Sequence, residues 1–314
     1  MTRHRLLLLT AGPAALSGVF YLLCLPATGR EQVQSLPGTV AASRSLTPAV
    51  SPVETDLERA CRLTLTDLQT RLHVGMSSIV RPPFILLGEC PPPELEQLYS
   101  ETVLPVTRCL WRSYFDRRPN APVTVIVLRD EPSYAAVAAR LDGYESSSYS
   151  GYTQRGQRRI VVNLSSGRGT LVHELSHILA LFDFPDMPEW FDEGLAALHE
   201  DAVLSDDGLR LIGVENWRSR FLREALSRDQ LPTLESVLTN PVFRGQEEGL
   251  NYAQARALCL FLQDRGLLSH FYRKFRDGYA SDRTGAGLLC ALFDADSLAE
   301  VDRQFRDWLT HGEP

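Results

Sequence analysis

Apolar residues recurring at threes and fours predict the first helix of the chain over Asp56–Leu72, where Leu57, Cys61, Leu65 and Leu68 share one face. Two continuous apolar runs, Phe84–Gly88 and Val123–Leu128, read as buried strands. Between them, Pro91-Pro92-Pro93 opens a helix running to about Phe115, with Leu95, Leu98, Val103 and Leu110 on its apolar side. Pro105 should kink or interrupt it, because proline has no N–H to give the preceding turn. Ser133–Leu141 reads as a short helix, and the turn Arg155-Gly156-Gln157 joins Tyr152–Gln154 to Arg159–Leu164 as a hairpin. A helix is expected from Thr170, as N-cap, through Ala180, with Leu171, Leu175, Ile178 and Leu179 facing a core. A second follows over Asp186–Leu198, where Asp186 and Glu189 make a capping-box signature and Pro188 sits in the first turn. After a polar loop at Glu200–Gly208 the pattern is helical: to Arg228, over Thr233–Leu238, along Tyr252–Phe275 and along Leu288–Trp308. Strands that lead up to one helix pair and then give way to helices predict an α+β domain with a helical C-terminal lobe, and a substrate cleft between the two parts.

Two N-terminal stretches of the chain do not fit a globular domain. Arg3, His4 and Arg5 precede the apolar run Leu6–Leu25, long enough to span a bilayer. The positive flank should stay cytoplasmic, so the expected location is extracytoplasmic, with residues 1–25 either kept as a membrane anchor or removed as a signal peptide. Residues 26–54, rich in Pro, Ser, Thr, Ala and Val, read as a flexible linker, and residues 55–314 as the domain. The net charge of -7 gives no basic footprint for nucleic acid. Beyond Cys24 there are five cysteines, an odd count; Cys90–Cys109 and Cys259–Cys290 are conceivable pairs, and five small buried thiols are the alternative.

The chemistry concentrates in the helix from Thr170. His173 and His177 are four residues apart, so both imidazoles lie on one face and aim at one point, which suits zinc. Glu174 flanks that point without being a ligand, placed to take a proton from water. The second helix supplies Glu193, a carboxylate in an otherwise apolar helix interior, which is costly unless it meets a cation. Two histidines and one glutamate leave the fourth zinc position open, as in a catalytic rather than a structural site.

His173-Glu174-x-x-His177 followed by Trp190-x-x-Glu193-Gly194-x-Ala196 resembles the gluzincin metallopeptidases, in particular the peptidase-MA-like branch related to alanyl aminopeptidases. The likeness runs roughly over residues 84–275, with sharp motifs in three short windows. It implies a zincin-like domain, zinc held by His173, His177 and Glu193, and Glu174 as general base. The third window, Asn251–Leu262, implies that Tyr252 hydrogen-bonds the oxyanion of the tetrahedral intermediate. It also implies that an edge strand near Gly151 and Tyr152 pairs with an extended peptide or protein substrate. Two departures stand out. The segment that grips a free amino end in alanyl aminopeptidases corresponds here to Ser150–Gln154, without an acidic residue, which points to an endopeptidase. Four residues after Glu193 the thermolysin branch has an aspartate; here Ala197 stands there, so the partners of the histidines must come from elsewhere. Two other readings remain: a membrane-tethered binding module that keeps the fold without turnover, and a zinc amidohydrolase of a non-peptide substrate.

Overall fold

Both faces of the central sheet are covered, which is why its strands are apolar at nearly every position instead of alternating. In this computed structural model, which describes residues 54–72, 75–144, 149–245 and 247–311, five strands lie in the order β1-β2-β3-β5-β4. They are β1 (Ser77–Arg81), β2 (Phe84–Gly88), β3 (Val123–Leu128), β4 (Gly151–Gln154) and β5 (Arg159–Asn163). The central pairs β2/β3 and β3/β5 are parallel, with Leu86 opposite Val125 and Val125 opposite Ile160. The outer pairs are antiparallel, so β1 and β4 form the two edges.

The period of two sorts the strand residues into two cores. Ile85, Leu87, Ile126, Leu128 and Val161 face α1 (Asp56–Arg71) and α4 (Glu131–Asp142), where they meet Cys61, Leu68, Tyr134 and Val137. Leu86, Val125, Val127, Ile160 and Val162 point to the other side, into the larger core. That core takes in α2 (Pro92–Leu98), α3 (Leu104–Ser113), α5 (Gly169–Asp183), α6 (Glu189–Glu200) and the C-terminal helices. Residues 55–314 form one compact unit of mixed α and β structure.

As expected, the helix through Pro105 is interrupted, by a π-turn at Tyr99–Val103, next to the proline that cannot donate to the preceding turn. Other expectations are corrected in detail. Arg168, not Thr170, precedes the first turn of α5, and Pro188, not Asp186, that of α6. The polar loop after α6 contains a small hairpin, β6 (Ala202–Leu204) with β7 (Leu211–Gly213). The long C-terminal helix is two, α9 (Glu248–Asp264) and α10 (Leu268–Gly278), divided at Gly266, whose φ of +69° a helix does not allow. The remaining helices are α7 (Trp217–Ser227), α8 (Leu234–Leu238), α11 (Ala286–Leu292) and α12 (Leu298–His311). All five described cysteines are free thiols.

The expected membrane-held, extracytoplasmic location does not stand. Residues 1–25 and most of the linker lie outside the described residues, and among the described residues no helix is long and apolar enough to cross a membrane. The longest, α9, has 17 residues and carries Gln254 and Arg256 in its middle.

α6 is the most enclosed helix: Trp190 through His199 are all buried. It lies between α5 and α9. Gly194 marks the closest approach to α9, where an added Cβ would meet Ala255 O at 2.7 Å and Ala255 C at 2.9 Å. Neither is the tip of a movable side chain. Gly194→Ala is therefore expected to push α6 off α9 and to lower stability by about 1–3 kcal/mol, the usual cost of overpacking. Denaturant unfolding checks this; an unchanged midpoint would mean that α9 yields freely.

Burial on all sides extends to His199, which is 1% exposed, with Nε2 3.1 Å from the Tyr114 hydroxyl. Burial, with the charge of Arg256 adding to it, pushes its pKa down to about 3. The unfolded chain, with a histidine pKa near 6.5, binds that proton more readily than the folded one. Stability from this group is complete above about pH 6.5 and falls by roughly 1.4 kcal/mol per unit as pH drops towards 3. His199→Gln should flatten the loss of stability between pH 6 and pH 4 by about that slope. An unchanged slope in denaturant titrations would show that His199 does not carry it.

Candidate metal centre

The 3.6-residue period of α5 puts His173 and His177 one turn apart on the face opposite its buried Leu171, Leu175 and Ile178. α6 crosses that face and brings in Glu193. The two Nε2 atoms lie 3.0 Å apart, and Glu193 Oε2 is 3.4 Å from that of His173 and 3.5 Å from that of His177. Ligands bonded tetrahedrally at about 2.0–2.1 Å would stand roughly 3.3–3.4 Å from one another. The three observed edges bracket that value.

Electrostatics make the same point. Glu193 Oε2 is buried and accepts no hydrogen bond, a costly state for a carboxylate oxygen without a cation. Burial works to raise the Glu193 pKa, yet His177 and His173 hold the carboxyl well below the ordinary range. Burial works to lower the pKa of His177, and the carboxylates Asp192 and Glu193 lift it well above its ordinary value. The pocket thus favours positive charge at the point the three ligand atoms face. The donor set, two imidazole nitrogens and one carboxylate oxygen, suits zinc, so the residues present fit the expected metal.

The second helix also supplies the partners of the histidines. Asp192 Oδ1 lies 2.9 Å from His177 Nδ1, and Glu200 Oε2 lies 3.7 Å from His173 Nδ1. Each carboxylate is held in turn by an arginine: Arg155 Nη1 at 3.0 Å from Asp192 and Arg218 Nη2 at 3.4 Å from Glu200. Arg244 takes the other oxygen of Glu193 through Nη2, and its Nε donates to Glu189 at 2.8 Å. Carboxylates behind metal-binding histidines fix ring orientation and raise ligand basicity. The reasoning that singled out Glu193, a charge inside an apolar helix, applies equally to Asp192 next to it. Nothing in the local sequence marks the three arginines, which come from distant segments.

Glu174 is buried beside His173, and its Oε2 accepts a hydrogen bond of 2.7 Å from the Thr153 hydroxyl on β4. Tyr252, near the start of α9, packs on Phe243 with ring centroids 5.3 Å apart, beneath the Arg244 guanidinium. Burial raises its pKa, and the Glu193 carboxylate raises it further, so the phenol keeps its proton. Gly151 lies on the edge strand as expected. Tyr152 is a correction: its hydroxyl donates to Asp142 Oδ2 at 2.6 Å and its ring stacks on Tyr144, on the sheet face away from the histidines. Successive strand residues point to opposite faces, and only Gly151 and Thr153 can face α5. An open groove lined by Phe221, Ala225, Arg228, Pro232, Glu247 and Leu250 contains none of the three candidate ligands.

No protein-family model matches the chain, and no curated protein matches it.

Proposed function

We propose that the protein is a zincin-type metallopeptidase that hydrolyses internal peptide bonds. The observation that carries this reading is the orphaned Glu193 Oε2, buried and facing two imidazole nitrogens at 3.4 and 3.5 Å. His173, His177 and Glu193 would hold zinc, which supplies Lewis acidity and lowers the pKa of water towards neutrality. Glu174 takes the proton of the attacking water and hands it to the leaving amine. Tyr252, held in its protonated form, donates to the developing oxyanion. The open edge of β4 pairs with an extended substrate backbone.

Digestion of an unbiased peptide mixture by the zinc-supplemented protein, read by mass spectrometry, tests the reading. Internal cuts that vanish with a chelator and return with zinc are the expected result. A folded, zinc-loaded protein that cuts nothing would overturn it.

A further inference from the structure

We propose that β4 couples the two halves of the reaction: the strand that offers its edge to the substrate also positions the general base, through Thr153, and a metal ligand, through Arg155. The inference rests on the peptidase reading above.

The register of β4 defines what faces where. Ser150 O accepts from Asn163 N at 2.8 Å, so this opposed pair shares ladder bonds, and so by alternation do Tyr152 with Val161 and Gln154 with Arg159. The backbone N–H and C=O of Gly151 and Thr153 therefore turn to the open edge. The side chain of Thr153 points the other way from Tyr152, to Glu174, and its hydroxyl is bound there at 2.7 Å. One residue thus offers its main chain to the edge and its side chain to the base. β4 also lies directly on α5: a Cβ at Gly151 would meet Thr170 Cγ2 at 2.6 Å and Glu174 Cγ at 3.4 Å.

Two residues on, in the turn at Arg155–Gln157, Arg155 reaches across to α6. Its Nη1 is 3.0 Å from Asp192 Oδ2, and its Nη2 donates to Pro185 O at 3.0 Å. The other oxygen of Asp192 is 2.9 Å from His177 Nδ1. A single run of three residues thus ends, in one direction, at the base and, in the other, at a ligand. A substrate strand that seats fully on the edge steadies both contacts, whereas a small amide that pairs with nothing steadies neither. Thr153 and Arg155 are positioning residues in this account, and extended chains are the favoured substrate class.

Two variants on the full-length protein test this, each with its conservative partner. Thr153→Val keeps the shape and removes the hydroxyl; kcat should fall about 10- to 100-fold, the cost of a misplaced catalytic group, while KM and zinc affinity stay within about 2-fold. Thr153→Ser should restore kcat. Arg155→Ala should weaken zinc binding about 10- to 100-fold in chelator competition, with Arg155→Lys in between. Thr153→Val with wild-type kcat, or Arg155→Ala with unchanged zinc affinity, would overturn the coupling. Chelator competition needs no turnover. A wild-type protein that binds zinc and cuts nothing therefore sinks the peptidase reading, and with it the coupling to a substrate.

Discussion

Glu174→Gln is expected to keep its metal and to lose turnover by roughly 10²–10⁴-fold, the range for a general base. The two effects separate because of where Glu174 lies. It follows His173 on α5 but is turned towards β4, where Thr153 binds it, and it is not among the three residues whose ligand atoms converge. Glutamine has nearly the same shape, and its amide oxygen can accept the Thr153 hydroxyl as the carboxylate does. What it lacks is a lone pair basic enough to take a proton from water. Metal stoichiometry and melting temperature should match the wild type while peptide cleavage falls. Wild-type turnover in this variant would remove Glu174 from the reaction.

Glu193→Ala should do the opposite and abolish metal binding at the source. Loss of a mere outer partner of a ligand typically lowers affinity 10- to 100-fold, so loss of a ligand should cost more than about 100-fold. Two imidazoles alone would remain, with no negative charge among the ligands. The variant also leaves the guanidinium of Arg244 with one carboxylate instead of two; this side chain is 50% exposed and can turn to Glu189 and to water. Folding should therefore survive, and equilibrium dialysis with zinc supplies the readout. Stoichiometric metal in Glu193→Ala would show that another group completes the site.

The histidine pair and Glu193 were legible in the sequence because their spacing on helices is a local property. His173 and His177 share a face by the period of α5, and Glu193 betrays itself as a charge among apolar neighbours. The groups behind them were not legible, since Arg155, Arg218 and Arg244 meet α6 through chain reversals that no periodicity announces. The β2 and β3 strands stood out as unbroken apolar runs, whereas β1, Ser77–Arg81, has only Ile79 fully buried and gave no such run. Tyr152 was misplaced for a simple reason: a strand residue and its neighbour face opposite ways, and the period alone does not say which faces the helix. The apolar stretch from Tyr252 to Phe275 concealed its break because Gly266 is tolerated in a helical pattern as easily as it ends one.

The enclosure of α6 has a consequence for biosynthesis. All candidate ligands lie between His173 and Glu193, so a chain growing on the ribosome holds the complete set early. The helix that carries Glu193 is nevertheless seated by α9, through the Gly194–Ala255 contact and through Arg256 Nε, which donates to Ala197 O at 3.0 Å. Those residues emerge some sixty positions later. A nascent chain halted before α9 would carry every ligand and no site to present them. Zinc uptake would then mark the end of folding, after the C-terminal helices have docked.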